Sequence, residues 1–116
     1  MTLVDTSVWV DHFRHGNAAL VRLLEDGGVV SHPFVIGELS LGNMKRRDEV
    51  LELLRSLPSA TMVVHDEAMR LIDRHRLFGT GLGWVDVHIL ASAMIEQLPL
   101  WTLDRRLAAA ARVLGV

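Results

Sequence analysis

The sequence predicts an α/β fold with a mainly parallel sheet covered by helices. Short apolar, β-branched runs recur along the chain, helix-patterned stretches separate them, and glycine or proline marks the joins. In order, the run TLV (2–4) opens the chain as a strand, and 6–14 and 18–26 read as helices closed by Gly27-Gly28. GVVS (28–31) is the second strand, and Pro33 begins a helix over 33–42 that Gly42 ends. A helix over 47–56 stops before Pro58-Ser59, and TMVV (61–64) reads as the third strand. The helix 66–77 starts with Asp66 and Glu67, acids that suit a first turn, and Gly79-Thr80-Gly81 follows it. VDVHILASAMIEQ (85–97) is apolar on nearly every side, which places it in the middle of the structure. Pro99 precedes the last strand, LWTL (100–103), and 105–114 is the last helix. No repeat, linker or low-complexity tract interrupts this alternation, so residues 1–116 are expected to form one domain.

Composition narrows the setting. Half of the residues are hydrophobic and 22% are charged, and 116 residues can bury roughly two-thirds of the surface of the unfolded chain. With no cysteine, disulfides and thiolate metal sites are excluded, and a reducing cytoplasm is the expected compartment. The longest stretch without Asp, Glu, Lys or Arg, Gly27 to Gly37, has eleven residues, too few to span a bilayer. Asp5 and Asp11 interrupt the apolar N-terminal segment, which does not read as a signal peptide. The net charge of −2 argues against a simple basic nucleic-acid glove.

The acids carry the chemical signal. Asp5 ends the first strand, Asp104 ends the last, and Asp86 starts the central helix. Binding sites of open parallel sheets form beyond the carboxyl ends of strands, where Asp5 and Asp104 meet if their strands are neighbours. Each of the three is also a reasonable helix N-cap. Glu38 is different, because it stands inside its helix on the face shared by Phe34 and Leu41. A carboxylate is costly to bury unless something pairs with it. Four converging carboxylates repel one another unless a cation sits among them, and all-oxygen ligation suits Mg²⁺ or Mn²⁺ rather than zinc.

The segments LVDTSVWVDHF, PFVIGELSLGN, GLGWVDVHILASA and LWTLDRRLAAAA resemble the four acidic blocks of PIN domains, and more narrowly those of VapC-type toxins of bacterial toxin–antitoxin pairs. The likeness spans nearly the whole chain, in order. It implies a three-layer fold whose four-stranded sheet, in the order 3-2-1-4, is flanked by about seven helices. It makes Asp5, Glu38, Asp86 and Asp104 the catalytic, metal-binding quartet, with the hydroxyls of Thr6 or Ser7 and of Thr102 around the pocket. The implied activity is Mg²⁺- or Mn²⁺-dependent endonucleolytic cleavage of RNA by a homodimer that a VapB-type antitoxin neutralises. One departure is that the sequence stops at Val116, where many relatives continue into a further short strand, so that strand is expected to be missing or residual.

The chemistry agrees with this assignment. Phosphodiester hydrolysis needs an activated water and neutralisation of the growing phosphate charge; one divalent ion supplies both, and a second can clamp the leaving oxygen. Asp5, Asp86 and Asp104 are direct or water-bridged ligands, and Glu38 is either a ligand or the carboxylate that orients the attacking water. Setting these four aside leaves ten acids against twelve basic residues, a shell of +2 in which eleven of the twelve cations are arginine. Arginine is the better bidentate phosphate ligand. Lys45, Arg46, Arg47, Arg105 and Arg106 are therefore the candidates for gripping the RNA backbone, with solvated helix surface as the alternative for the first three.

Other residues carry less. His12 and His15 have half the pattern of a zinc site but no further ligands nearby, and read as surface histidines. His88 reads as a hydrogen-bonded structural residue, and Asp11 as part of a solvated face. Trp9, Trp84 and Trp101 sit in apolar contexts and are assigned to the core; a base-stacking role would require exposure. Phe34, Leu39, Leu41 and Met44 are the candidates for an apolar groove that receives a partner peptide. Two rival functions are a catalytically silent PIN-like binding module and a phosphoacceptor receiver domain. The receiver needs a late lysine, and Lys45 is the only lysine in the chain.

Overall fold

The computed structural model describes all residues from Met1 to Val116. Strand β1 (Thr2–Val4) is followed by helices α1 (Thr6–His15) and α2 (Ala18–Glu25), then by β2 (Val29–Val30). Helices α3 (Pro33–Ser40), α4 (Arg47–Ser56), α5 (His65–His75) and α6 (Trp84–Glu96) come next, then β3 (Leu100–Trp101) and α7 (Arg105–Leu114). Local chemistry sets several of the boundaries. Asn17 caps α2 by accepting from the Leu20 N–H (3.0 Å), and Pro33 supplies the fixed φ that suits a first helical position. Gly16, at φ 74°, turns the chain out of α1 while its N–H still bonds the His12 carbonyl (2.9 Å).

The sheet is parallel with β1 in the middle: Leu3 pairs with Val30 of β2 and with Leu100 of β3, in the strand order β2-β1-β3. This makes the first and last strands neighbours, and the Asp5 N–H bonds the Trp101 carbonyl (2.9 Å). The fourth place, at the outer edge beside β2, is reduced to a single parallel bridge between Ser31 and Ser59. The Ser31 N–H bonds Pro58 O and the Ala60 N–H bonds Ser31 O, both at 2.8 Å. The order 3-2-1-4 is thus kept in outline, but residues 61–64, expected to be a strand, are not paired as one. The reason lies in α6. Its Glu96 carboxylate accepts the Thr61 N–H and its Ser92 hydroxyl donates to the Thr61 carbonyl (2.7 Å), so side chains take the bonds a ladder would use.

The core forms on both sides of β1. Leu3, Val4, Val8, Leu20, Val29, Val35, Leu54, Ile89 and Ala93 belong to one buried cluster, and Leu77, Leu90, Leu107 and Ala111 to a smaller one under α7. Helix α6 is buried without interruption from Val87 to Ala93, in agreement with its all-round apolar sequence. No helix is long and apolar enough to cross a membrane.

One buried polar group in this core is fully bonded. The His32 ring accepts the Phe34 N–H at Nδ1 (2.9 Å), which leaves Nε2–H to donate to the Ser92 hydroxyl (3.0 Å). Ser92 passes its own proton on to Thr61 O, so the chain of bonds is complete with His32 neutral. Burial, then the neighbouring His88, holds the His32 pKa down at about 4.

Candidate metal-dependent active site

The strands end on the side of the sheet where α1 and α7 begin, and the acids gather there. Asp5 caps α1: its Oδ2 accepts from the Ser7 N–H (3.2 Å), the Ser7 hydroxyl (2.7 Å) and the Thr102 hydroxyl (2.8 Å). It is only 5% exposed, so these bonds fix it in place. Asp104 caps α7, with Oδ1 accepting from the N–H groups of Arg106 (2.9 Å) and Leu107 (3.0 Å). Asp86, in the first turn of α6, reaches back to the Gly83 N–H through Oδ2 (2.9 Å). Glu38, in α3, accepts the Thr6 hydroxyl at Oε1 (2.7 Å). The Ser7 hydroxyl also accepts the Leu103 N–H (2.9 Å), which ties the start of α1 to the segment after β3.

A common pattern emerges. Each of the four carboxylates is anchored through one oxygen, while the other accepts no hydrogen bond from the protein. None of the four is ion-paired; the three ion pairs of the chain engage Asp11, Glu49 and Asp48. Asp5, Asp86 and Asp104 are near enough to feel one another. Burial raises the Asp86 pKa, the Gly83 N–H opposes that rise, and the charges of Asp5 and Asp104 add to it. Asp5 and Asp104 are the N-caps expected, whereas Gly83 caps α6 and Asp86 bonds back to it from the third position; each of these roles occupies only one oxygen, so it is compatible with the site assignment.

The acids do not close tightly on one point, and no three His, Asp or Glu side chains form a direct chelating cluster. All-oxygen donors that do not chelate directly suit a hard cation that keeps part of its water shell, as Mg²⁺ does. The donor set therefore fits a hydrated Mg²⁺ or Mn²⁺.

The structure corrects several expectations. Glu38 is exposed, and the face of α3 that goes inward carries Val35 and Leu39 instead. The carboxylate opens onto a cavity of about 490 Å³ whose walls include Thr6, Val10, Phe13, Leu39 and Met44, with Arg14 and Lys45 alongside. Of the proposed groove residues, Leu39 and Met44 line this cavity. Leu41 is 88% exposed and does not line it, and Phe34 turns instead towards the rings of His32 (5.5 Å) and His88 (4.8 Å).

The basic residues separate as well. Arg46 pairs with Glu49 at the exposed start of α4 (2.8 Å), and Arg47 donates twice to the Ser40 carbonyl (3.1 and 2.9 Å), which ties α4 to the end of α3. Arg105 and Arg106 are exposed and in no ion pair. His12 Nδ1 accepts the Asn17 N–H (3.1 Å) and Asp11 bonds His15 and Asn17, which leaves no zinc site there. Gly81 was not singled out in the sequence, yet the Arg106 side chain lies against it. Its place between two glycine-containing turns was the available signal.

The PIN domain family model matches residues 2–113. Two curated relatives named Ribonuclease VapC32, from Mycobacterium tuberculosis strains CDC 1551 / Oshkosh and ATCC 25618 / H37Rv, are each 51% identical over 117 residues. The alignment covers 100% of this chain and 94% of each relative.

Proposed function

Since the chain belongs to the PIN domain family, we propose that it is a VapC-type endoribonuclease whose reaction centre is Asp5, Glu38, Asp86 and Asp104. The observation that carries this is the four half-satisfied carboxylates, each with one oxygen anchored and one free, with no arginine or lysine paired to them. Residues 1–116 act as one domain in this reading.

Asp5, Asp86 and Asp104 would hold Mg²⁺ or Mn²⁺ through Oδ1, Oδ1 and Oδ2. A divalent cation held by these residues would supply an acidified water and neutralisation of charge on the phosphate. The protein's part is preorganisation. Ser7 and Thr102 fix the Asp5 carboxylate, the Gly83 N–H fixes Asp86, and the first amides of α7 fix Asp104. Thr6 holds Glu38 so that its free Oε2 can accept a proton of the attacking water and aim its lone pair. Arg105 and Arg106, unpaired at the start of α7, bind phosphate oxygens of the RNA.

The VapB-type antitoxin belongs to the same reading. The cavity beside Glu38 has apolar walls from Val10, Phe13, Leu39 and Met44, suited to the side chains of a bound peptide. A peptide arginine laid across the free carboxylate oxygens would replace the cation's charge and keep water out. A homodimer and a cytoplasmic location complete the proposal, and sedimentation of the purified chain checks the dimer. A receiver function has little support, because Asp66 lies in the first turn of α5 after an unpaired segment and Lys45 sits by Glu38.

The test is cleavage of single-stranded RNA by purified protein with Mg²⁺, with Mn²⁺ and with EDTA. Cleavage in either metal and none in EDTA is expected. Activity that persists in EDTA contradicts the reading, and a folded, metal-loaded protein that cuts nothing favours the silent binding module.

A further inference from the structure

Three tryptophans occur in the chain, and two serve the core. Trp9 is 2% exposed and stacked on Phe13 at 6.1 Å, and Trp101 packs half-buried against the main cluster from β3. Trp84 is different: 41% of it is exposed, at the first residue of α6 and two residues before Asp86.

Its ring is nonetheless held. His88 meets it edge to face at 4.7 Å and 78°, and His65, from the start of α5, lies against it at 5.2 Å. His88 is itself 4% exposed and braced from behind by Phe34 at 4.8 Å, so the indole rests on a buried support. A ring oriented in advance loses little conformational freedom when something stacks on it.

Charge surrounds the same place. The loop that leads into Trp84 passes Gly81, at φ +87°, and the Arg106 side chain fills the space where a Cβ would sit, with Nη1 2.9 Å from that point. Only glycine admits both this backbone conformation and the guanidinium. Asp86 and Trp84, two apart, leave the first turn of α6 on different sides. Trp84, Asp86 and the glycine covered by Arg106 thus fall within the short stretch 81–86 at the start of α6.

We propose that Trp84 is a base-stacking platform for an unpaired nucleotide next to the phosphate in the acid pocket, with Arg106 holding a phosphate of the same strand. The inference rests on the ribonuclease reading above and adds a substrate subsite to it. Stacking uses the face of a base and ignores its edge, so the platform selects for unpaired RNA rather than for a particular base. An apolar peptide has a better-fitting place in the cavity beside Glu38, whose lining does not include Trp84.

The test is binding of a mixed-sequence single-stranded RNA oligonucleotide in EDTA, followed by tryptophan emission and by competition, with melting curves to verify the fold. Trp84→Leu keeps apolar bulk against His88 but has no π face, whereas Trp84→Phe keeps one. The leucine variant is expected to bind at least about fivefold more weakly than wild type. The phenylalanine variant should stay close to wild type, and the same RNA annealed to its complement should not distinguish the three. Wild-type emission should be quenched by the single strand and that of Trp84→Phe, which keeps Trp9 and Trp101, should not, and this difference decides the matter should Trp84→Leu fail to fold. Equal single-strand binding by a folded Trp84→Leu, or unmoved wild-type emission on binding, overturns the platform while Mg²⁺-dependent cleavage leaves the ribonuclease reading in place. A wild-type protein that neither binds nor cuts RNA overturns both.

Discussion

The two ends of α3 place polar groups beside the sheet in opposite ways. At its start, His32 has a partner for each ring nitrogen, and the bonds run on through Ser92 to Thr61 until every polar hydrogen is used. Further along, Glu38 is held by the hydroxyl of Thr6, the residue after Asp5, and like Asp5, Asp86 and Asp104 it keeps one oxygen idle. A closed network stabilises and has nothing left to offer a ligand. The half-used one is costly to the free protein and remains available for binding. Burial does not tell the two apart, since Asp5 and His32 are both buried; what differs is that His32 has its bonds complete and Asp5 has an oxygen left over.

The sharpest way to break this comparison is to remove charge at the open end while keeping the anchors. Asparagine and glutamine retain an acceptor oxygen for Ser7, Gly83, Arg106 or Thr6. Asp5→Asn, Glu38→Gln, Asp86→Asn and Asp104→Asn should each slow RNA cleavage at least about tenfold, or ~1.4 kcal/mol of barrier, in single-turnover assays with Mg²⁺. Full activity in any one removes that residue from the reaction centre.

At the closed end the expected effect is on stability alone. Ser92→Ala strands the His32 Nε2–H and should cost about 1–3 kcal/mol in urea unfolding. Cleavage by the folded variant at low temperature should equal that of wild type. A cost below the scatter of the measurement would mean that the network is dispensable.

The pH dependence follows from the same contrast. His32 has a folded pKa of about 4 against 6.5 for the ordinary side chain, so below pH 6.5 the unfolded chain takes up a proton that the folded one refuses. Its contribution is complete above pH 6.5 and is lost as the pH falls towards 4. Asp86 has the opposite effect. Its raised pKa penalises the metal-free protein once the pH is high enough to ionise it, and acid relieves that penalty. Wild type should therefore lose stability in acid more steeply than His32→Gln, measured from pH 7 down to 4 by thermal melts; parallel curves would contradict the assignment.

The smallest effect concerns Asp104. Asparagine caps a helix about as well as aspartate, so Asp104→Asn in EDTA should melt no lower than wild type, and slightly higher if relief of repulsion outweighs the cap. Adding Mg²⁺ should stabilise wild type more than the variant by mass action. A lower melting point with an unchanged metal response would make Asp104 a cap and nothing else.

Much of this was legible in the sequence because strand ends and helix starts leave local marks. Asp5, Asp86 and Asp104 stand at such marks, and α6 was identifiable as central from its all-round apolar surface. The adjacency of β1 and β3 came only through the family resemblance and its strand order, since pairing between residues 3 and 100 leaves no local trace. The segment 61–64 read as a strand because Val63 and its neighbours have that pattern. Its backbone bonds were diverted by Ser92 and Glu96, some thirty residues later, a tertiary effect that overrides propensity. Glu38 was marked out as an acid on an apolar face, and the structure overturns that premise, since it is exposed. Helical spacing put it with Phe34 and Leu41, while the packing of α3 on α1 and α4 turns Val35 and Leu39 inward. The exposure of Trp84 was equally hidden, because GWVD has the same apolar look whether its tryptophan is covered or not.

The central claim is that the idle oxygens of Asp5, Asp86 and Asp104 hold a divalent cation. Calorimetric titration of the RNA-free, EDTA-stripped protein with Mn²⁺ tests it most directly, with Asp5→Asn/Asp104→Asn as the comparison and circular dichroism to verify that both are folded. The account predicts saturable Mn²⁺ binding to wild type that the double variant loses. Equal Mn²⁺ binding by the two proteins would contradict it.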